Sequence, residues 1–143
     1  MTPRPLRYAA FSRTPAGGNP AGVWLGEALP APADMQRIAA QVGDSETAFV
    51  AAPGADGRRP VRYFSPEAEV PFCGHATIAA GVALGEQDGD GGHVFATAAG
   101  EVAVTVSTHD GARMATLVSV PPRREPAPRP LLLEALAAIG WRE

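Results

Sequence analysis

The stretch Pro71–Leu84 constrains the fold of this chain more than any other part of it. Its first half, Pro71–Thr77, brings together a glycine, a histidine and the only cysteine of the sequence. Its second half, Ile78–Leu84, has no polar side chain, so a helix formed there must be buried on most of its circumference. Such a helix needs the rest of the chain wrapped around it. The sequence therefore predicts a core built about a central apolar helix.

The predicted start of this helix, at Gly74 and His75, is suited to bind an anion. The N–H groups of a first helical turn have no partner within the helix, and they lie at the positive end of the macrodipole. A carboxylate or a phosphate can bind there without a metal ion or a basic side chain. These residues are therefore a candidate anion-binding site.

Composition excludes several classes of function. With 143 residues the chain fits one ordinary domain with a real core. The net charge of -3 gives no electrostatic basis for binding nucleic acid or an anionic membrane. All 12 basic residues are arginine, which rules out a Schiff base on a lysine of this chain. A single cysteine leaves no internal disulfide and no metal cluster built on cysteines.

The sequence also indicates a cellular location. The N-terminal stretch 1–8 is rich in proline and arginine and lacks the apolar segment of a secretory signal. No apolar run approaches the roughly 18–20 residues that a membrane-spanning helix needs. We therefore expect a cytoplasmic protein with neither a nucleic-acid nor a membrane partner.

Periodicity predicts an arrangement of strands about the central helix. Short segments between turn signals predict strands over 7–12, 21–25, 46–50, 61–65, 93–98, 101–108 and 113–120, and the two-residue alternation of a strand is seen in 101–108. Further helices are predicted over 33–42 and 131–139, and the central helix is expected to end near Leu84 before a polar turn over 86–92. Five prolines in 121–130 predict a stiff spacer that does not pack.

Glu46 is a candidate functional residue because it shares one face of its predicted strand with Ala48 and Val50. Burying a carboxylate is unfavourable unless the group is paired or has a task. The alternative is that Glu46 lies at the open end of the strand and is solvated. Gly18 and Asn19 likewise have two interpretations: turn geometry, or close approach of the backbone to a ligand.

Other polar residues are interpreted as structural. Glu67 and Glu69 suggest acid/base work, but the stronger interpretation is that they are turn and helix-entry charges favoured by the positive helix end. His93 and His109 lie at the edges of predicted strands with no partner ligand nearby, so both are expected at the surface.

Three motifs occur in a characteristic order and spacing: Asn19–Val23, Ser45–Phe49 and Phe72–Thr77, with Arg62–Pro66 and Glu69 between the last two. This set resembles the PhzF family, the phenazine-biosynthesis-like isomerases, over about residues 7 to 140. The resemblance implies an α+β fold like that of diaminopimelate epimerase. In that fold, two similar domains each wrap a curved, mostly antiparallel sheet around one central helix. The active site lies between the domains.

The resemblance also implies a site and a reaction. Glu46 matches the family's acid/base glutamate, and His75 matches the family's histidine at the helix N-terminus, so both are expected to be catalytic. The backbone N–H groups of Gly74 and His75 would receive the substrate carboxylate, with Asn19 and Ser45 lining the same cleft. The implied chemistry is a proton shift beside the carboxylate of a small cyclic or amino-acid-like substrate. It uses no cofactor and no metal.

Cys73 has two interpretations. A thiol at a helix N-terminus can have a lowered pKa, and related two-cysteine racemases place a thiol just before the equivalent glycine. Those enzymes need a second thiol from their other half, which this chain lacks. The default interpretation is a small buried apolar residue.

The chain departs from the family in length. Residues 1–120 match the N-terminal domain, and 121–143 form a proline-rich linker and short helix leading toward a second domain. That domain's Asp-x-Ala-Thr-Gly-Ser-Ala-like motif has no match here. A truncated chain, a split enzyme whose other half is a separate polypeptide, or a self-pairing homodimer would explain this. The function is then either a half-enzyme of the isomerase class, or a non-catalytic module for carboxylate binding or assembly.

Overall fold

The computed structural model describes residues 4–141. Residues 1–3, at the start of the predicted domain 1–120, and residues 142–143, at the end of the predicted segment 121–143, lie outside the described residues. Eight strands and three helices follow one another in this part of the chain. They are β1 (Leu6–Ala10), β2 (Asn19–Gly26), α1 (Pro32–Val42), β3 (Thr47–Ala51), β4 (Arg58–Phe64), β5 (Glu69–Val70), α2 (Gly74–Asp88), β6 (Gly91–Thr97), β7 (Gly100–His109), β8 (Ala112–Val118) and α3 (Arg129–Ala138).

The strands form a single curved sheet in the order β1-β2-β3-β4-β6-β7-β8, with the short β5 paired to β4. Neighbouring strands are antiparallel except for β2 with β3 and β4 with β6, which are parallel. The concave face of the sheet holds α2, which contacts strands from both ends of it, β1 and β2 on one side and β7 and β8 on the other. The predicted α+β class, with a mostly antiparallel sheet around a central helix, is confirmed.

Helix α2 fits inside the sheet because its buried positions carry small side chains. Its buried residues are Ala76, Thr77, Ala79, Ala80, Gly81, Ala83, Leu84 and Gly85. A Cβ atom added to Gly81 would lie 2.8 Å from the Cβ of Ala115 on β8, and one added to Gly85 would lie 2.4 Å from Val106 on β7. Both separations are shorter than real contacts, so glycine is what allows the helix axis to approach these strands so closely.

A second, smaller cluster lies on the convex face, where α1 covers the sheet. Met35 and Ile38 of α1 pack with the aromatic rings of Trp24, Phe49 and Phe64. Phe49 and Phe64 meet edge to face, with ring centroids 5.7 Å apart. Helix α1 ends at Gly43, whose φ of 73° is left-handed, as the sequence predicted for a terminating glycine.

The end of α2 differs from the prediction. The helix continues to Asp88 instead of ending near Leu84, so the polar residues 86–88 belong to its last turn. Distant partners stabilise that turn: Tyr8 donates a hydrogen bond to Glu86 at 2.7 Å, and Arg59 pairs with Asp88 at 2.8 Å. The apolar run alone could not reveal these contacts.

Two other expectations are corrected. Glu69 lies in β5, which was not predicted, and its carboxylate forms two hydrogen bonds with Arg62, at 2.7 and 2.5 Å. It is therefore part of an ion pair on the sheet and not a helix-entry charge. His93 is half-buried, with its Nε2 atom inaccessible, whereas His109 is exposed as expected.

The region after β8 follows the predicted pattern. Residues 119–128 have no helix or strand, and α3 has no buried residue in the described part of the chain. Leu131, Leu132 and Leu133 are exposed on it. The assignment of 121–143 to a linker and an entry helix stays a prediction. Within the described residues, no helix is both long enough and apolar enough to cross a membrane.

The close approach of α2 to the sheet is testable at Gly81. Substituting Gly81→Ala is expected to lower the free energy of unfolding by about 1 kcal/mol or more, because the added methyl group overpacks the contact with Ala115 and Val104. This cost outweighs the helix propensity that alanine adds, about 1 kcal/mol. Urea denaturation followed by circular dichroism measures the change.

Gly92→Ala is the matched control, since a Cβ at that position meets no atom within 4 Å. Its effect is expected to stay within about 0.5 kcal/mol. A Gly81→Ala chain as stable as the unsubstituted one would show that the helix does not lie this close to β7 and β8.

Candidate active site

Two chain segments meet at one end of the curved sheet. Glu46 immediately precedes β3, and its backbone carbonyl accepts a hydrogen bond from the N–H of Gly22 on β2 at 3.0 Å. Cys73 immediately precedes α2, which begins at Gly74. Ala48 and Val50 of β3 lie in the core against α2, so the face they share with Glu46 points toward the helix. The carboxylate of Glu46 therefore lies beside the first turn of α2.

Four side chains are in contact there. The Cys73 thiol donates to Oε2 of Glu46 at 3.6 Å, and its sulfur lies 3.2 Å from Nδ1 of His75. The other ring nitrogen, Nε2, is 3.4 Å from Oε2 of Glu46 and 3.1 Å from Oγ of Ser45. The ring of His75 thus lies between the thiol, the carboxylate and the hydroxyl. When both ring nitrogens are protonated, His75 and Glu46 form an ion pair.

Buried hydrogen bonds fix the start of α2. The hydroxyl of Thr77 donates to the carbonyl oxygen of Cys73 at 2.7 Å, and that carbonyl also accepts from the N–H of Thr77 at 3.0 Å. Tyr63 on β4 completes the chain, because its hydroxyl lies 2.6 Å from Oγ1 of Thr77. Since the carbonyl of Cys73 accepts two hydrogen bonds from Thr77, the orientation of the first N–H groups of the helix is fixed. These groups, at Gly74 and His75, have no partner within the helix.

The site is partly shielded from solvent. The side chain of His75 is 11% exposed and that of Glu46 is 23% exposed. The pKa of the Cys73 thiol is raised to about 11. Burial is the largest cause and the charge of Glu46 adds to it, whereas hydrogen bonds from the backbone N–H groups of Ala76 and His75 oppose the shift. Cys73 is thus a neutral thiol at physiological pH, which argues against the activated thiolate of the two-cysteine interpretation.

The structure brings together most of the predicted site residues. Glu46, Ser45, Gly74 and His75 share one cluster, and contacts with Cys73 and His75 replace the alternative of a merely solvated Glu46. Asn19 is exposed at the first position of β2, where it pairs with Ala10. Among the described residues, no hydrogen bond joins Asn19 to the cluster. Its role as a cleft residue stays a prediction.

The default interpretation of Cys73, a small buried residue, agrees with its place in the core cluster. Sequence reasoning did not identify the roles of Tyr63 and Thr77. The signal for Thr77 was present, because a hydroxyl four residues after the N-cap position can bond back to that carbonyl. Tyr63 lies in the Arg62–Pro66 motif, but nothing in the sequence pairs it with Thr77. Glu46, Cys73 and His75 also each offer a metal-ligating atom, and these atoms lie within 4.8 Å of one another.

Comparison with known proteins finds relatives of this chain. A family model described as phenazine biosynthesis-like protein, PhzC-PhzF, matches residues 8–142. An uncharacterised isomerase, YddE, of Escherichia coli K12 is 38% identical over 141 residues, 97% of this chain and 46% of that protein. A trans-2,3-dihydro-3-hydroxyanthranilate isomerase of Pseudomonas aeruginosa is 34% identical over 134 residues, 93% of this chain and 48% of that protein. The chain thus spans about half the length of these relatives.

Solved structures show the same fold. A crystal structure of a PhzF family protein from Bacillus anthracis superposes with a TM-score of 0.70 at 32% identity, covering 79% of this chain and 39% of that one. A probable proline racemase and a hydroxyproline epimerase, both from Agrobacterium, share the fold at lower sequence identity. The similarity confirms the predicted diaminopimelate-epimerase-like class.

The burial of Cys73, together with its contact with Glu46, predicts an unusual pH dependence of alkylation. At pH 8 a thiol with a pKa of about 11 is only about 0.1% ionised, so iodoacetamide should modify Cys73 roughly a hundredfold more slowly than an ordinary cysteine. The rate should rise about tenfold per pH unit toward pH 11, as the thiolate forms. Mass spectrometry of the native chain measures the modified fraction over time.

In Glu46→Gln, the negative charge that raises the thiol pKa is absent, so the rise in alkylation should begin at lower pH. Glu67→Gln, which changes an exposed carboxylate, is the control and should leave the profile unchanged. A Cys73 that reacts at pH 8 as fast as a free thiol would contradict the placement of the sulfur.

Proposed function

This chain belongs to the PhzF family of phenazine biosynthesis-like proteins, and from that premise we propose that it provides half of an isomerase active site. The reaction is a proton shift next to the carboxylate of a small cyclic or amino-acid-like substrate. The observation that carries the proposal is the contact of Glu46 with His75 beside the open first turn of α2. This contact would place a proton-transferring side chain, Glu46, next to a binding site for the substrate carboxylate.

The N-terminus of α2 would supply this carboxylate-binding site. The N–H groups of Gly74 and His75 would donate hydrogen bonds to the substrate carboxylate, and the macrodipole would favour its negative charge. The first turn of α2 contains no Asp or Glu of its own, so the nearest carboxylate is that of Glu46, which contacts His75. The N–H groups that bind the carboxylate would stabilise the negative charge that develops on it in the transition state. The proton on the adjacent carbon would therefore be removed more easily.

Glu46 is the proposed acid and base. Its carboxylate would remove a proton from one carbon of the bound substrate, and the electron pair would shift toward the neighbouring atoms. Glu46, now protonated, would return a proton to another carbon, so the reaction consumes no other reagent. His75 would orient Glu46 through the 3.4 Å contact of its Nε2 atom and hold the charge that develops, and the hydroxyl of Ser45 would help to fix the ring at the same nitrogen.

The remaining part of the active site is proposed to come from outside this chain. The chain spans about half the length of the relatives it matches. The groups described above would form one wall of the proposed cleft. A complementary polypeptide corresponding to the relatives' other half, or a second copy of this chain, would supply the opposite wall. Closing the cleft would exclude water, which strengthens the electrostatic effect of the helix N-terminus.

Incorporation of solvent deuterium tests the reaction directly. With trans-2,3-dihydro-3-hydroxyanthranilate and a panel of amino acids as probes, mass spectrometry should detect deuterium on carbon when the chain is mixed with a complementary half from a relative. Glu46→Gln should lower the rate at least about a hundredfold, because general acid–base catalysis contributes that much. Glu67→Gln should leave it unchanged, since that residue lies outside the cluster.

The chain alone is measured in parallel, because incorporation there would identify the self-paired form as active. Incorporation that is equal in Glu46→Gln and the unsubstituted chain would rule out the proposed role of Glu46. If neither arrangement incorporates deuterium while a carboxylate still binds, the alternative function, a non-catalytic carboxylate-binding or assembly module, replaces the enzyme.

A further inference from the structure

We propose that Glu46, Cys73 and His75 together form a binding site for a divalent transition-metal ion of the zinc class. The three side chains come from two segments that are 27 residues apart in sequence, and the fold brings their donor atoms within 4.8 Å of one another. A carboxylate, a thiol and an imidazole are three of the donor types that zinc uses in proteins.

The spacing of the donor atoms fits one small ion. From the usual zinc bond lengths, two ligand atoms on a tetrahedral ion lie roughly 3.4 to 3.6 Å apart. The Cys73 sulfur is 3.6 Å from Oε2 of Glu46, and that oxygen is 3.4 Å from Nε2 of His75. The sulfur faces the other ring nitrogen, Nδ1, at 3.2 Å, so the ring has to turn before a single nitrogen lies beside both other donors; one atom from each residue already falls within 4.8 Å of the other two.

The donor set also selects the kind of metal. Calcium and magnesium prefer several oxygen ligands. This site offers a single carboxylate, so it should bind both ions weakly. Thiolate and imidazole favour zinc and its neighbours in the first transition series. When the sulfur coordinates the ion, its proton passes to solvent, and the resulting thiolate and the Glu46 carboxylate together balance the charge of the ion.

Three protein ligands leave a fourth position open for water or for a substrate oxygen, as in zinc sites that exchange ligands. The side of Glu46 that remains exposed to solvent gives an ion a route to the cluster.

Metal binding would have a regulatory consequence, and this part rests on the proposed function. An ion bound to Glu46 and His75 occupies the groups that would transfer and orient the proton. Zinc would therefore inhibit the proposed isomerisation, and a chelator would restore it. Binding itself does not depend on catalysis, so it is tested separately.

Cobalt(II) titration of the full chain, prepared free of metal and with a non-thiol reductant, tests the site. We expect visible bands of tetrahedral cobalt and a near-ultraviolet band from thiolate to cobalt, both saturating at one ion per chain. Zinc should displace cobalt, since it binds nitrogen and sulfur sites more tightly. Cys73→Ser should abolish the near-ultraviolet band, and Glu46→Gln and His75→Gln should each weaken cobalt binding at least tenfold.

His109→Gln and Glu67→Gln are the matched controls, because both change exposed residues of the same types, and they should bind cobalt as the unsubstituted chain does. The proposal is overturned if the unsubstituted chain shows no thiolate band at millimolar cobalt. It is equally overturned if the band persists with unchanged affinity in both Glu46→Gln and His75→Gln, since the thiol alone would then be the ligand. Neither result bears on deuterium incorporation, which is measured without added metal.

Discussion

The structure depends on one packing constraint: helix α2 must be thin enough for a single sheet to curl around it. Alanine and glycine occupy most of its buried positions, and two of the glycines lie where any side chain would collide with β7 or β8. A helix with leucines at those positions would push the strands outward and open the sheet. Because the sheet is curled, strands that are distant in order face the same helix, and both parallel strand pairs become part of one core.

The same constraint creates the site. A helix held on the axis of a curved sheet has its first turn at one rim of that sheet, where no strand covers it. The rim residues of β3 and the N-cap residue of α2 then meet, although Glu46 and Cys73 are far apart in sequence. The buried hydrogen bonds of Thr77 with Cys73 and Tyr63 anchor the helix to β4 at this end, so the position of the first turn is set by the core.

What the sequence could predict follows from which interactions are local. The run Ile78–Leu84 identified the buried helix because its apolarity is a property of the segment itself. The two-residue period placed Glu46 on the inward face for the same reason. The last turn of α2 was missed because its polar residues are stabilised by Tyr8 and Arg59, and no local pattern reports those partners. The contact of Cys73 with Glu46 was missed for a similar reason: the two residues are 27 apart in sequence and meet only once the sheet closes.

The Cys73 thiol and the Glu46 carboxylate differ in their exposure at the rim of the sheet. Burial raises the pKa of the Cys73 thiol, which keeps the sulfur from acting as a nucleophile at neutral pH. The Glu46 carboxylate at the same rim keeps contact with solvent and with the imidazole of His75. In the proposed isomerase, that carboxylate would carry the proton. In the proposed metal site, coordination would instead deprotonate the thiol and hold the carboxylate in place. The same three side chains would serve either proposal, and the affinities and concentrations of substrate and ion would decide which of them occupies the site.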